Sequence, residues 1–237
     1  MLVEGQLEIE RALLNAIPLE AVYVCEDFGG PRALRLAEEA VAMGAEVFAA
    51  SAEAFAKASL RENPDGLLAT AVAPSRTLAD LPSAPGPALW VVVEGVEKPG
   101  NLGAVIRSAN AAGATAVIAT DGADVYAPQV IRNSRGLVFA TPVVIAEREA
   151  IVAECQRRGL TLYAATAEAP TPLWDADLSA PVALVLGTEH EGLSPFWRAV
   201  GLNGIHIPMT GQADSLNVAA TAAVVLFEAA RQRLSRA

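Results

Sequence analysis

The sequence is poor in the residues that carry redox and metal chemistry. It has two cysteines and two histidines in 237 residues, and Cys25 and Cys155 lie far apart in apolar surroundings with no CxxC pair. Disulfide, metal and thiol chemistry are therefore not expected, and both thiols read as buried structural groups. Cations are also scarce: 17 Lys and Arg against 27 Asp and Glu leave a net charge of −10. That balance argues against loose, charge-driven attachment to nucleic acid, because counterion release requires clustered Lys and Arg. A small local basic site remains compatible with it. No apolar run approaches the roughly 20 residues of a membrane span, and the first residues carry acids where a secretory signal has a basic end. The expected location is the cytoplasm, with no membrane partner. There is no fixed-period repeat and no low-complexity tract beyond general alanine richness.

What is present is apolar bulk, at 53% of residues, enough for a sizeable core in an α/β protein. Residues 1–74 alternate helix-like and strand-like stretches: "EGQLEIERALLNA", "AVYVCE", "PRALRLAEEAVAMGA", "EVFAAS", "AEAFAKASLR" and "GLLATAVA". This alternation predicts a small α/β domain with its sheet covered on both faces. Residues 75–87, with Pro82, Pro85 and Pro87, lack a period and read as a linker. From residue 88 to 237 the alternation resumes. The runs "WVVV" and "VALVL" have no polar alternation, as expected of parallel strands covered on both sides, so a three-layer α/β domain is predicted. Charge is uneven: residues 1–74 hold five Lys and Arg against twelve Asp and Glu, a net of −7, which leaves −3 for the remainder.

Three glycine-bearing loops follow strand-like runs. The first, "EKPGNLGAVIRSANAAGA" (97–114), imitates a dinucleotide-binding turn, with Asp121 following the next strand. Gly95, Gly100 and Gly103 do not make GxGxxG, and "EGVEKPGN" is too extended for the tight turn. A nicotinamide-dependent oxidoreductase is therefore disfavoured. Asn101 reads as the N-cap of a helix in which Leu102, Val105, Ile106 and Ala109 form one buried stripe. At 100° per residue, Arg107 lies about 140° from Leu102, directed toward solvent or a ligand. The second loop, "ALVLGTEHEGLS" (183–194), leaves a strand at Gly187, where open α/β sheets bind ligands. In the third, Ile207-Pro208-Met209 leads through a glycine loop to Ser215, Leu216 and Asn217 at the start of the last helix.

In order and spacing, "PGNLGAVIRSANAAGA", "LVLGTEHEGLS" and "IPMTGQADSLNVAATAAVVLFEA" closely resemble the three signature motifs of the SpoU, or TrmH-like, ribose 2′-O-methyltransferases of the SPOUT class. The N-terminal part, ending in "RENPDGLLATAVAP", resembles the L30e-like RNA substrate-binding domain that many members carry. The resemblance implies a mostly parallel sheet, a deep C-terminal trefoil knot, S-adenosylmethionine as cofactor, no metal, and a homodimer formed through the C-terminal domain. It also implies methyl transfer to a ribose 2′-hydroxyl of RNA, with 23S rRNA as substrate and tRNA as the alternative. Carried over by motif position, Gly187, Ile207 and Leu216, with Thr166 and Met209 beside them, would hold the cofactor. Asn101, Arg107, Glu189, Ser215 and Asn217 match the active-site positions. Arg107 is then either a proton acceptor, which a guanidinium becomes only at a cost, or a clamp for phosphate and developing alkoxide, and both roles stay open. The segment "YAPQVIRNSRG" (126–136) matches an RNA-facing stretch, which makes Arg132, Ser134 and Arg135 RNA-binding candidates, with Arg61 added from the first domain. The acidity of residues 1–74 confines any RNA contact there to a small patch, or to Gln6, Asn63 and backbone groups. A reading from a different class is a non-catalytic RNA-binding or ribosome-assembly factor on the same fold.

Overall fold

The computed structural model describes residues 1–83, 86–120, 123–188 and 192–235. It divides into two compact units, Met1–Ser75 with Tyr126–Ala140, and Arg76–Val125 with Thr141–Ala237. In chain order the first elements are β1 (Leu2–Glu4), α1 (Gln6–Leu14), β2 (Leu19–Val24), α2 (Glu26–Ala42), β3 (Glu46–Ala49), α3 (Ala52–Ala58) and β4 (Leu67–Ala71). Next come β5 (Leu89–Val93), α4 (Pro99–Ala111), β6 (Ala116–Ala119), α5 (Pro128–Asn133), α6 (Leu137–Ala140), β7 (Val143–Ile145) and α7 (Arg148–Arg158). The chain ends with β8 (Thr161–Ala165), β9 (Thr171–Pro172), β10 (Val182–Leu186), α8 (Pro195–Val200), β11 (Asn203–His206) and α9 (Val218–Leu234).

In the first unit the sheet order is β1-β4-β2-β3, with only β2 and β3 parallel. Helices α1 and α2 cover one face and bury Val22 and Val24. The other face is not sandwiched as the alternation suggested: Phe55 of α3 packs near Leu68, but Tyr23 is half-buried and Phe48 is exposed. The segment 126–140, read from sequence as part of the second domain, groups with this unit. There α5 packs on β1 and α6 on α1. Its turn is tight, with Arg135 at φ 56° followed by Gly136 at φ 74°. A Cβ on Gly136 would lie 3.0 Å from the Glu8 Cα, so the close approach of turn and helix requires glycine.

Arg61 holds this unit together from inside. Its Nη2 donates to Glu8 Oε2 at 2.9 Å and to the Glu4 carbonyl at 2.8 Å, while Nη1 faces Asp65 Oδ2 at 3.4 Å. The Glu8 side chain is 6% exposed, so its carboxylate depends on this partner.

The second unit is a seven-stranded sheet in the order β7-β6-β5-β10-β8-β11-β9, with every pairing parallel. All residues of β5, β6 and β10 are buried, as their unbroken apolar runs require. The stretch read as a linker belongs to this unit from Arg76 onward. Leu81 is buried in its core, and Arg158, over the Trp90 ring at 5.3 Å, donates to the carbonyls of Leu78, Leu81 and Pro82. At the chain's end, Arg233 donates to the carbonyls of Pro87, Ala88, Leu178 and Ala180, tying α9 to the start of β5 and the approach to β10. Desolvation lowers the pKa of this guanidinium, a cost that the four carbonyl acceptors offset. Among the described residues no helix is long and apolar enough to cross a membrane.

Two outcomes follow for stability and thiol chemistry. Arg61→Met leaves the buried Glu8 carboxylate unpaired and lowers the unfolding free energy by on the order of 3 kcal/mol, read from urea midpoints at constant m. Both cysteines are buried, and burial pushes the Cys155 thiol up to about 12. Neither thiol reacts with a disulfide reagent at about pH 8 until denaturant unfolds the chain.

Candidate active site

The site is a product of strand register. Leu186 at the end of β10 pairs with Val93 of β5 on one side and Ala165 of β8 on the other, and Ala165 pairs with Ile205 of β11. The chain therefore leaves four neighbouring strands at nearly one level. The Glu94 N–H donates to the Leu186 carbonyl at 2.9 Å, and the Thr166 N–H to that of Ile205 at 3.0 Å, which extends the ladder one residue into each loop. The loops after β8, β10 and β11 enclose a cavity of about 800 Å³. That volume lies within the range of roughly 300–1,000 Å³ common for small-molecule sites.

All five proposed cofactor residues, Thr166, Gly187, Ile207, Met209 and Leu216, line this cavity, as does Ser215. Leu186, Ile205, Val218 and Val225 add apolar wall. Gly187 is required for its shape: a Cβ there would lie 2.3 Å from the carbonyl group of Gly192 and 2.6 Å from the Leu193 nitrogen. Thr188 and Gly192 close the loop with reciprocal backbone hydrogen bonds of 3.1 and 3.2 Å. Glu189, matched to the active site by motif, lies outside the described residues.

Asn217, Asn101 and Arg107 are not in the cavity wall. Asn217 caps α9, its Oδ1 accepting from the Ala220 N–H at 2.8 Å, and so fixes the helix whose first turns carry Val218 and Thr221 into the site. Asn101 is not an N-cap. Lys98 takes that position and Pro99 begins α4, because proline's fixed φ suits the first helical residue and it has no N–H to leave unsatisfied. The predicted stripe Leu102, Val105, Ile106 and Ala109 is buried, and Arg107 is exposed. Helix α4 packs along α9.

Among the RNA-facing candidates, Arg132 and Arg135 are exposed on the first unit. Arg11, which reads in sequence as an ordinary helix residue, binds the Arg135 carbonyl and joins them. Ser134 is fully buried, with its hydroxyl donating to the Ile131 carbonyl at 2.9 Å, because the tight turn folds this hydroxyl back onto its own helix. Arg61 is occupied by Glu8, Asp65 and the Glu4 carbonyl. Neither Ser134 nor Arg61 presents a free group to RNA.

Sequence reasoning also missed the support behind the cavity loop. Glu94, 4% exposed, accepts from the Ser194 N–H at 2.8 Å and the Ser194 hydroxyl at 2.7 Å, and pairs with Arg148 Nε at 2.9 Å. It thereby anchors the residue that begins α8 just after the loop that starts at Gly187. An acid beside a glycine reads as an ordinary loop residue, and its partner is a hundred positions away. Trp197 and His206 also line the cavity, and each holds a buried ring nitrogen with no protein partner among the described residues. With the apolar wall and the Gly187 backbone, these atoms fit a ligand that combines a heteroaromatic ring with polar edges.

Residues 88–227 match the model of the SpoU rRNA Methylase family, and residues 1–69 that of the MRM3-like substrate binding domain. The chain is 36% identical over 235 residues to the 23S rRNA (guanosine-2′-O-)-methyltransferase RlmB of Xylella fastidiosa, covering 94% of each. It is 42% identical over 154 residues to the RlmB of Xanthomonas axonopodis, a match that spans 64% of this chain but only 62% of that protein. The structure is similar to that of the SpoU methyltransferase AviRb from Streptomyces viridochromogenes in complex with AdoMet, with a TM-score of 0.88 and 29% identity over 99% of this chain and 91% of that one.

Two substitutions test the loop geometry by calorimetry with S-adenosylmethionine. Gly187→Ala weakens binding by at least about tenfold, since backbone must move to admit the methyl. Glu94→Gln keeps one acceptor for Ser194 but loses the charge facing Arg148, and weakens binding by about three- to tenfold while the fold survives by circular dichroism.

Proposed function

This chain belongs to the SpoU rRNA methylase family, and from that premise we propose that it transfers a methyl group from S-adenosylmethionine to a ribose 2′-hydroxyl of 23S rRNA in the cytoplasm. The observation that carries this reading is the convergence of Thr166, Gly187, Ile207, Met209, Ser215 and Leu216, from three separate loops, on one cavity. When bound, the cofactor supplies an electrophilic methyl on a sulfonium. The chain's own residues then bind and orient. Backbone groups around Gly187 and Ile207 would hold the cofactor's polar edges, and Leu186, Ile205 and Leu216 would supply apolar contact. Ser215 and the capped Asn217 stand at the start of α9, where they position the incoming hydroxyl; alignment of oxygen with methyl supplies much of the rate.

Arg107 acts as the clamp. Its exposed guanidinium grips the phosphate next to the target ribose and stabilises negative charge developing on the 2′-oxygen as its proton passes to solvent water; the thioether S-adenosylhomocysteine is the leaving group. α9 exposes Phe227, 52%, and Leu234, 79%, and the turn Leu173–Asp175 that contacts α9 exposes Trp174. We assign these exposed apolar side chains to a homodimer contact through the second unit. The first unit contributes substrate contacts through Arg132, Arg135 and Arg11, which keeps phosphate binding on a small patch of an acidic body.

The test is transfer of radiolabelled methyl to deproteinised 23S rRNA, to tRNA and to ribosomal particles, with the modified nucleotide mapped. Methylated tRNA alone would change the substrate. Cofactor binding without transfer to any RNA would favour the non-catalytic factor. Arg107→Ala lowers kcat by about 10²–10³-fold with cofactor affinity unchanged. Arg107→Lys retains less than about a tenth of the rate, and near-normal transfer by it would rule out a bidentate clamp.

A further inference from the structure

The two edges of the first unit's sheet are treated differently. Beyond β1, α5 packs against the edge. Beyond β3 nothing pairs among the described residues, and all four residues of that strand, Glu46 to Ala49, are exposed. The bare edge is apolar on both faces. Phe48 is 43% exposed and stacks on Tyr23 of β2 at 5.5 Å between ring centroids. Val47, on the opposite face, is 39% exposed. Next to Val47 runs the flank of α2 that carries Leu34 and Val41, also exposed. The other flank of α2 faces α1, to which it is tied by the 2.7 Å pair of Arg32 and Glu10, so Leu34 and Val41 lie on the β3 side. Acids rim the strip: Glu46 on the strand and Glu38 between Leu34 and Val41, in a stretch whose net charge is −7 over residues 1–74.

Unpaired strand edges bind another strand through main-chain hydrogen bonds, and the alternate side chains set specificity. We propose that β3 is a docking edge for an extended, basic segment of a protein, which adds as a fifth strand with apolar residues over Phe48 and Val47 and cations over Glu38 and Glu46. RNA is the wrong occupant, because its phosphates would face acids in a stretch of net charge −7, in which the exposed Arg35 is outnumbered. The proposal rests on the rRNA reading above and extends it. The protein carrying the segment is one already bound to the target RNA, so the enzyme recognises a ribonucleoprotein particle through this edge and RNA through Arg132 and Arg135.

The experiment compares methyl transfer to deproteinised 23S rRNA and to protein-bearing large-subunit precursors. It uses the full chain, its Val47→Thr/Phe48→Thr variant, which keeps β-forming residues, and a separate Glu38→Lys/Glu46→Lys variant. The expected result is a loss in kcat/KM of about tenfold or more on the particle for both variants, with naked-RNA rates for the first within about twofold of the parent. Equal loss on both substrates, or no loss on the particle, overturns the docking edge while leaving the transferase reading intact. Failure of the parent chain on both substrates removes that reading and this inference with it.

Discussion

Parallel pairing places Leu186 level with Val93 and Ala165, and the rest of the second unit follows from that register. Three parallel strands ending together must release their chains side by side, so the loops crowd, and crowding selects the residues. Gly187 is glycine because Gly192 and Leu193 occupy the space a methyl would need. Glu94 is buried because Ser194 and Arg148 converge on it there. A slip of one residue in β10 would exchange the faces of a wholly apolar strand at little hydrophobic cost, yet it would break every one of these contacts. Register in this sheet is thus enforced by its loops as much as by its core.

The unit's periphery is fastened by arginines as well as by the burial of Leu81. Arg158 gathers the carbonyls of the approach to β5, and Arg233 those at the start of β5 and before β10. Each donates to several carbonyls of irregular backbone at once, and those of Leu78 and Ala88 also accept a backbone N–H. The arginines of the first unit divide by role. Arg61 is internal and paired, whereas Arg132 and Arg135 are exposed. An overall negative charge therefore coexists with a cationic face of a few residues, which suits a protein that selects one nucleotide over one that coats nucleic acid.

The α4 stripe, the parallel strands and the cavity residues were legible because each depends on a local signal: a period, an unbroken apolar run, or a motif in fixed spacing. The misplacements have causes both local and distant. Asn101 looked like an N-cap, but proline two residues earlier had already begun the helix. β1 went unread because three residues carry no period. Arg61 and Ser134 stood as RNA-binding candidates because sequence does not reveal that Glu8, 53 residues away, or the Ile131 carbonyl would bond them.

From the order of residues alone came the three-layer α/β class and the three glycine-bearing loops, which are written in spacing and side-chain type. The resemblance of those loops to the SpoU motifs added the expectation of a methyl donor and an RNA ribose. Only the tertiary structure decided that Tyr126–Ala140 belongs with the first unit, that Glu94 stands behind the cavity loop, and that one sheet edge is covered while β3 is bare. The physical reason is distance along the chain. Pairings across 50 to 100 residues are settled by packing and register, and neither leaves a periodic trace in a single sequence.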